Sequence, residues 1–518
     1  MTRRLALPGA VLLALVVVFV IAWVTRPGAT QGAVQGGQGA AVTSITRSCP
    51  PSAPGSAAGQ ISMVALPAQA AGAGAAASSG AAKPVTPAGS ATFSAVLAVP
   101  AAAGGKASGA VKASASSKAS ASGTPSAKAK GRAPVTVSAV GAATTVTAPG
   151  GGGTAVAATG RMAEGFEAEQ SDASGTGLVS CTHPGADMWF VGTGQATGAT
   201  DVRLYLMNTG NLTASADVTI LTDTGQQSGL RTAITVAPSQ SVAENITPYV
   251  QGSQAVALHV QANTGQVAAS VWEGGKGGGA WLPRANAPAT SLVIPGLTVA
   301  SSAARLFVVV PGATDAQLKV VAYTPAGAVT QFPGSPVDAS AGAATPLALN
   351  SLGASAAGLK LTSNQPVVAG VLVPGTGIGS FTTAVPPITE QGVVAGNPAA
   401  RGVTVGLLLT APSAAARASI SVIAADGSVM TPAGDQTVTV TARHTLALAV
   451  PRPSGGGRDP FAIVITPQPG SGPLYAVRVV TSGTGGLSAP LSSLLPVASA
   501  MTSITLPPAQ DSYTAVLP

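Results

Sequence analysis

The sequence predicts an all-β protein, and three observations carry that reading. From residue 186 onward, apolar strands alternate with period two between glycine and proline turns. A composite strand signature recurs about every 100 residues. Beyond the first 26 residues no helical periodicity is sustained.

The chain opens with Arg3 and Arg4, then an uncharged apolar run from Leu5 to Val24, closed by Thr25-Arg26-Pro27. Twenty residues at helical rise reach about 30 Å, one hydrocarbon thickness. Residues 1–26 therefore read as a cytoplasmic tip and a single-pass transmembrane signal-anchor. The N-terminal charge excess places the C-terminal bulk outside the cytoplasmic membrane. Pro8 and Gly9 fall in the first turn, where a missing N–H costs little. The run is longer than a secretory h-region and a poor cleavage site follows it, so a retained anchor is expected. Cleavage after Ala29 or Ala33, giving a secreted protein, is the alternative. Lipidation is not expected, because the first cysteine, Cys49, lies far beyond the run.

Residues 27–185 form a basic, acid-poor region. Residues 1–163 hold twelve Lys/Arg and no acid, whereas 164–518 hold thirteen against seventeen acids, a net of −4. The overall +8 is thus a property of the N-terminal third. Behind an export signal, an anionic envelope polymer or lipid headgroup is a more available partner than nucleic acid, and a solvated spacer is the plainer reading. Short β-like pieces occur at Ala41–Arg47, Ile61–Leu66, Ala91–Val99 and Val135–Ala148. Between them runs a low-complexity insertion, 101–133, with Lys106, Lys112, Lys118, Lys128 and Lys130 among Ala, Ser and Gly; it cannot bury a core and reads as disordered. The two cysteines, Cys49 and Cys181, suggest one disulfide in an exported chain.

The repeat then sets in. Strand–turn–strand–turn signatures read LYLMNTGNLTASADVTILTDTG (204–225), LFVVVPGATDAQLKVVAYTPAG (306–327) and GLLLTAPSAAARASISVIAADG (406–427). Their turn glycines Gly225, Gly327 and Gly427 lie 102 and 100 residues apart, and Val218, Val320 and Ile420 keep step. A second strand pair recurs at 256–272, 358–372 and 461–480. Antiparallel sandwiches of about 100 residues fit this spacing. The prediction is therefore about three tandem immunoglobulin-like β-sandwich modules, at 186–300, 301–400 and 401–518. A propeller is the runner-up, but its blades repeat every 40–50 residues.

Chemistry is scarce. Charged residues make up 8% of the chain and aromatics 3%, against about 25% charged in a typical globular protein. That poverty argues against an enzyme. His183, His259 and His444 are dispersed and lack ligand spacing, and His259 is expected on the solvent side of its strand. A reactive-thiol role for Cys181 with His183 lacks a base–orienter pair. The glycine run around Lys276 lacks the following Ser/Thr of a phosphate loop and reads as a hairpin turn. Asp217, Asp223, Asp315 and Asp426 are explained by Asx turns, and Trp189, Trp272 and Trp281 by the first module's core. No catalytic, cofactor-binding or metal-binding residue is expected, and no cofactor. Asn211 and Asn245 head glycosylation sequons.

Cys49-Pro50, Gly165-Phe166-Glu167-Ala168-Glu169-Gln170, Cys181 with Pro184, Trp189-Phe190-Val191-Gly192 and Leu206-Met207-Asn208-Thr209-Gly210 carry a resemblance. On these residues the chain is similar to an actinobacterial family catalogued only as a domain of unknown function, over most of its length from about residue 40. The resemblance implies an N-terminal membrane segment, a β-rich extracytoplasmic region and pairing of the two cysteines. It transfers no activity and no site.

The sequence thus points to a non-enzymatic, membrane-anchored envelope protein, a structural or binding scaffold whose partners are envelope proteins or a cell-wall glycan, with no nucleic acid. The alternative is an accessory subunit or enzyme acting on envelope polysaccharide, for which Glu244, Glu273 or Asp338 would supply facing carboxylates.

Overall fold

The computed structural model describes residues 39–505 except 58, 67–88, 100–133, 150, 173–176, 231, 299–303, 334–335, 350–351, 353–355, 376, 432–436 and 455–456. The expected anchor, Leu5 to Val24, and the insertion at 101–133 lie outside the described residues. Among the described residues no helix is long and apolar enough to cross a membrane. The chain divides into two compact units. In the small one, Gly39–Ala41 pairs antiparallel with Ser503–Thr505. The large one, Val42–Thr502, holds everything that follows.

The large unit is built four times from one pattern of eight strand positions. The first copy comes from the N-terminal region that the sequence left outside the repeat. Its strands, in order, are Ser44–Cys49, Gln60–Val64, Ala91–Ala95, Val135–Val137, Thr144–Thr147, Thr154–Thr159, Glu167–Ser171 and Leu178–Ser180. The first, sixth, third and fourth make one sheet; the eighth, seventh, second and fifth make the other. Both sheets feed one core around Ile45, Ile61, Phe93, Val156 and Phe166.

The same order returns from Asp187–Thr193 to Gly278–Leu282, from Ala289–Thr298 to Ser380–Thr383, and from Gly392–Asn397 to Leu491–Pro496. In the third copy one strand, Ala356–Val373, serves as both sixth and seventh and passes from one sheet into the other. Ala289–Thr298 pairs with that strand, so it opens the third copy instead of closing the second.

Alternation explains how the copies stack. In Arg305–Val310 the even residues Leu306, Val308 and Val310 join their own core, while Phe307 and Val309 join the core of the preceding copy. In Tyr475–Ser482, Ala476 and Val480 face their own core, and Val477 and Val479 face the third copy. A strand buried on both faces loses the polar alternation of a half-buried one, which is why these segments read as continuous apolar runs. At each joint the second sheet of one copy covers the first sheet of the copy before it.

The stack closes on itself. Val64 and Leu66 of the first copy pack with Val393, Ala395, Ala462 and Val464 of the fourth. On the other side, Ser48 donates to the Met207 sulfur at 3.4 Å, and Leu97–Val99 adds parallel to Gln240–Asn245 of the second copy. Four two-sheet sandwiches thus form a ring of eight layers among the described residues, and their eighth strands gather toward its centre.

Candidate functional site

Two cavities lie between the copies. The first is an open cleft of about 490 Å³ with walls from all four: Ala53 and Leu178, then Asp201, Trp272 and Trp281, then Gly377 and Gly379 to Phe381, then Ser492 to Leu494. One exposed wall is the hairpin of the glycine run. Ala268–Gly275 pairs with Gly278–Leu282, and the turn needs the positive φ of Gly277, +86°. The expected hairpin is therefore present. The tryptophans are a different matter. Trp189 is buried, but Trp272 and Trp281 are only half-buried. They meet edge to face at 5.2 Å, with Tyr205 5.6 Å from Trp281. Paired directly across two strands, both rings emerge on the cleft side instead of filling the core.

The second cavity, about 450 Å³, shares Leu178, Trp281 and Leu494 with the first and opens near Ala287, Ala498 and Met501, which are exposed. Apolar walls from Phe190, Leu282, Pro283, Leu495 and Pro496 surround a charged cluster of Arg47, Glu167, His183 and Arg284. Arg47 is 5% exposed, pairs with Glu167 and donates to the Phe166 carbonyl at 3.3 Å. His183 lies between two guanidiniums: Arg47 Nη1 is 3.4 Å from Nδ1 and Arg284 Nη1 is 3.2 Å from Nε2. Partial burial, then the charges of Arg284 and Arg47, hold His183 down to about 4, although one side of it stays open to solvent. It is neutral at pH 7, so only one of its nitrogens can accept. Glu167 is pushed up to about 7 by burial, against the pull of Arg47.

The cysteines hold this cluster together. Cys49 and Cys181 are bonded, with Cα atoms 4.2 Å apart. Beside the bond, Ser48 and Thr182 exchange backbone hydrogen bonds of 2.7 and 2.9 Å. Arg47 on one segment and His183 on the other are thereby fixed face to face.

The remaining sequence candidates disperse. His259 does leave its own core, yet it is covered, stacking on Trp189 at 3.9 Å and bonding Asp187 at 3.0 Å. His444 bonds the Ala442 carbonyl at 2.8 Å in a turn. Among the turn aspartates, Asp426 makes the local Asx contact, to Ser428 N. Asp217, Asp223 and Asp315 accept instead from Ala233, Gln254 and Ala341, stapling separate loops. Asp338 is exposed on another sheet, apart from the buried Glu273.

Glu273 is wholly buried and accepts from Thr193 N at 2.9 Å and Thr193 Oγ1 at 2.8 Å. It fits because Gly192 has no side chain, since a Cβ there would sit 2.1 Å from Glu273 Oε1. Burial pushes Glu273 up to about 8, with the Thr193 bonds opposing. The folded state therefore holds this proton while the unfolded state releases it near 4.5, and stability falls as pH rises from 4.5 toward 8. The slope is at most about 1.4 kcal/mol per pH unit. Glu273→Gln is expected to flatten it; urea unfolding at pH 5, 6 and 7 would show parallel losses in both proteins if Glu273 were not the source.

The members of this charged cluster that sequence reasoning did not bring together are Arg47, Glu167 and Arg284. The available signal was that Glu164, Glu167 and Glu169 are the first acids after 163 residues without one.

Comparison with known proteins places residues 136–451, more than half of the chain, within the model of DUF5719, a family of unknown function. No curated protein sequence matches. Among solved structures, the crystal structure of Streptomyces avermitilis alpha-L-rhamnosidase complexed with L-rhamnose is 9% identical. That alignment covers 61% of this chain and 49% of the other, with a TM-score of 0.11. The chain spans about half the length of that enzyme, and the likeness is too slight to bear on fold or function.

Proposed function

We propose that this chain, which belongs to the DUF5719 family of unknown function, is a non-enzymatic, membrane-anchored scaffold outside the cytoplasmic membrane that binds a cell-wall glycan. We read its four sandwiches as immunoglobulin-like. The observation that carries the glycan reading is the open cleft, where half-buried Trp272 and Trp281 flank a glycine hairpin and Asp201, Ser492 and Ser493. Sugars present apolar C–H faces and a rim of hydroxyls. Flat aromatic rings beside backbone and short polar groups match both. The disulfide suits an exported chain. A closed ring suits a binding platform better than an extended stalk.

Purified cell-wall polysaccharide is expected to bind the full chain. Trp281→Ala is expected to weaken that binding at least tenfold, the scale of a tryptophan hot spot of about 2 kcal/mol. Equal retention by the variant in a co-sedimentation assay would remove the cleft from the reading. Protease shaving of intact cells tests the location, and protection of residues 186–505 would contradict export.

A second reading, an enzyme or accessory subunit acting on envelope polysaccharide, is favoured by Asp172 and Asp201 lining the same cleft. Asp201 already binds Arg203 at 2.8 Å, which suits a structural part better than an acid catalyst. Release of reducing ends that Asp201→Asn abolishes would establish the enzyme.

A further inference from the structure

The inner cavity carries an inference separate from the glycan reading. Buried polar groups in folded proteins are almost always hydrogen-bonded. Three buried groups on these walls have no protein partner: Arg47 Nε, Thr182 Oγ1 and Ser270 Oγ. They belong to residues of two sandwiches that line this one cavity. A neutral His183 between two guanidiniums adds a fourth mismatch, since its N–H must point at a donor. An acceptor-only group placed among Arg47, Arg284 and His183 would relieve these contacts together.

Charge narrows the ligand. Arg47 is matched by Glu167, while Arg284 spends Nη2 on the neutral Asp187 carbonyl at 2.7 Å. Asp187 stands near Arg284, but its own carboxylate is bonded to His259. Arg47 and Arg284 thus bring two guanidiniums to this space, and a carboxylate is an acceptor that suits them. The walls of Phe190, Leu282, Pro283, Leu495 and Pro496 are apolar, and about 450 Å³ lies within the range of small-molecule pockets. A guanidinium also binds a carboxylate in matched planar geometry.

We infer that the inner cavity is a binding site for a small amphipathic carboxylate, its head held by Arg284 beside the Arg47–His183 contact and its apolar body against Phe190 and the proline-rich wall. The disulfide serves this site by fixing Arg47 opposite His183.

The test is calorimetric titration of the full chain with octanoate, octanamide and inorganic phosphate, with tryptophan fluorescence recorded in parallel because Trp281 lines the cavity. Octanoate is expected to bind at least tenfold tighter than octanamide. Arg284→Gln is expected to remove that preference, and Arg284→Lys to restore part of it. Lowering pH from 8 to 6 is expected to tighten octanoate several-fold, because Glu167, facing Arg47 and Glu169, gains a proton while His183 stays neutral and both arginines stay charged. Equal binding of octanoate and octanamide, binding of neither, or tighter binding of phosphate would each overturn the assignment. If Arg284→Gln does not fold, octanoate against octanamide on the wild-type chain still decides.

Discussion

Glu169→Ala is expected to destabilise the protein by about 3–5 kcal/mol, the cost of leaving one member of a buried ion pair uncompensated. Arg478 is fully buried on the fourth sandwich and Glu169 nearly so on the first. Their contact, Nη1 to Oε2 at 2.9 Å, crosses the seam that closes the ring. Glu169 also accepts from the backbone of Ala395 and Gly396 at 3.1 and 3.2 Å, and Arg478 donates to the Gly396 carbonyl. Arg478 Nε and Nη2 have no partner, so the guanidinium depends on this carboxylate. Burial lowers the Arg478 pKa, but an arginine does not shed its proton, and its charge would remain. A lone Glu169 can neutralise itself by taking a proton. Arg478→Met is therefore expected to cost less than Glu169→Ala, and Glu169→Leu with Arg478→Met less again. Urea midpoints for the three proteins check the order. Equal losses in all three would mean that the seam is held by its apolar contacts alone.

The same two carboxylates show how far the sequence could be read. Glu167 and Glu169 both lie in the GFEAEQ motif that carried the family resemblance, yet nothing in that motif names a partner. Arg47 is 120 residues away from Glu167 and Arg478 is 309 away from Glu169. Pairings at such separations depend on strand register and ring closure, which local pattern does not encode. The all-β class was legible because period-two alternation and turn glycines are local. So was the 100-residue period, which follows the second and third strands of each copy. The first copy escaped because the stretches at 67–88 and 100–133 separate its second, third and fourth strands and break the spacing. Ring closure escaped for a related reason. Repeat length argues against a propeller, yet the structure does arrange eight layers about a centre. It builds each from strands drawn alternately along a copy instead of from one consecutive blade. Trp272 and Trp281 were misplaced because strand alternation gives two faces and cannot tell a core from a cleft.

Removing the disulfide, by Cys49→Ser with Cys181→Ser or by reduction, is expected to cost about 2–5 kcal/mol, the usual range for a native disulfide. The bond spans 132 residues, for which loop entropy alone gives about 4–5 kcal/mol. The unfolded chain gains most from release when the enclosed loop is long and lacks other constraints, and this loop contains nearly the whole first sandwich. The loss therefore falls on one copy. Because that copy supplies one face of the closing seam, its loosening is expected to open the ring ahead of the other three. Hydrogen exchange under reducing conditions would then show early exposure at Ser44–Cys49 and Gly392–Asn397, with Ala316–Thr324 protected longest. The inner cavity should fail with it, because Arg47 and His183 are held opposite each other by the bond and by the Ser48–Thr182 pairing. A reduced protein that keeps both its urea midpoint and its octanoate affinity would show that strand pairing alone positions the cluster. A reduced protein that loses octanoate binding before it unfolds would tie the cavity's ligand to an oxidising compartment, since only there does the chain keep its site assembled.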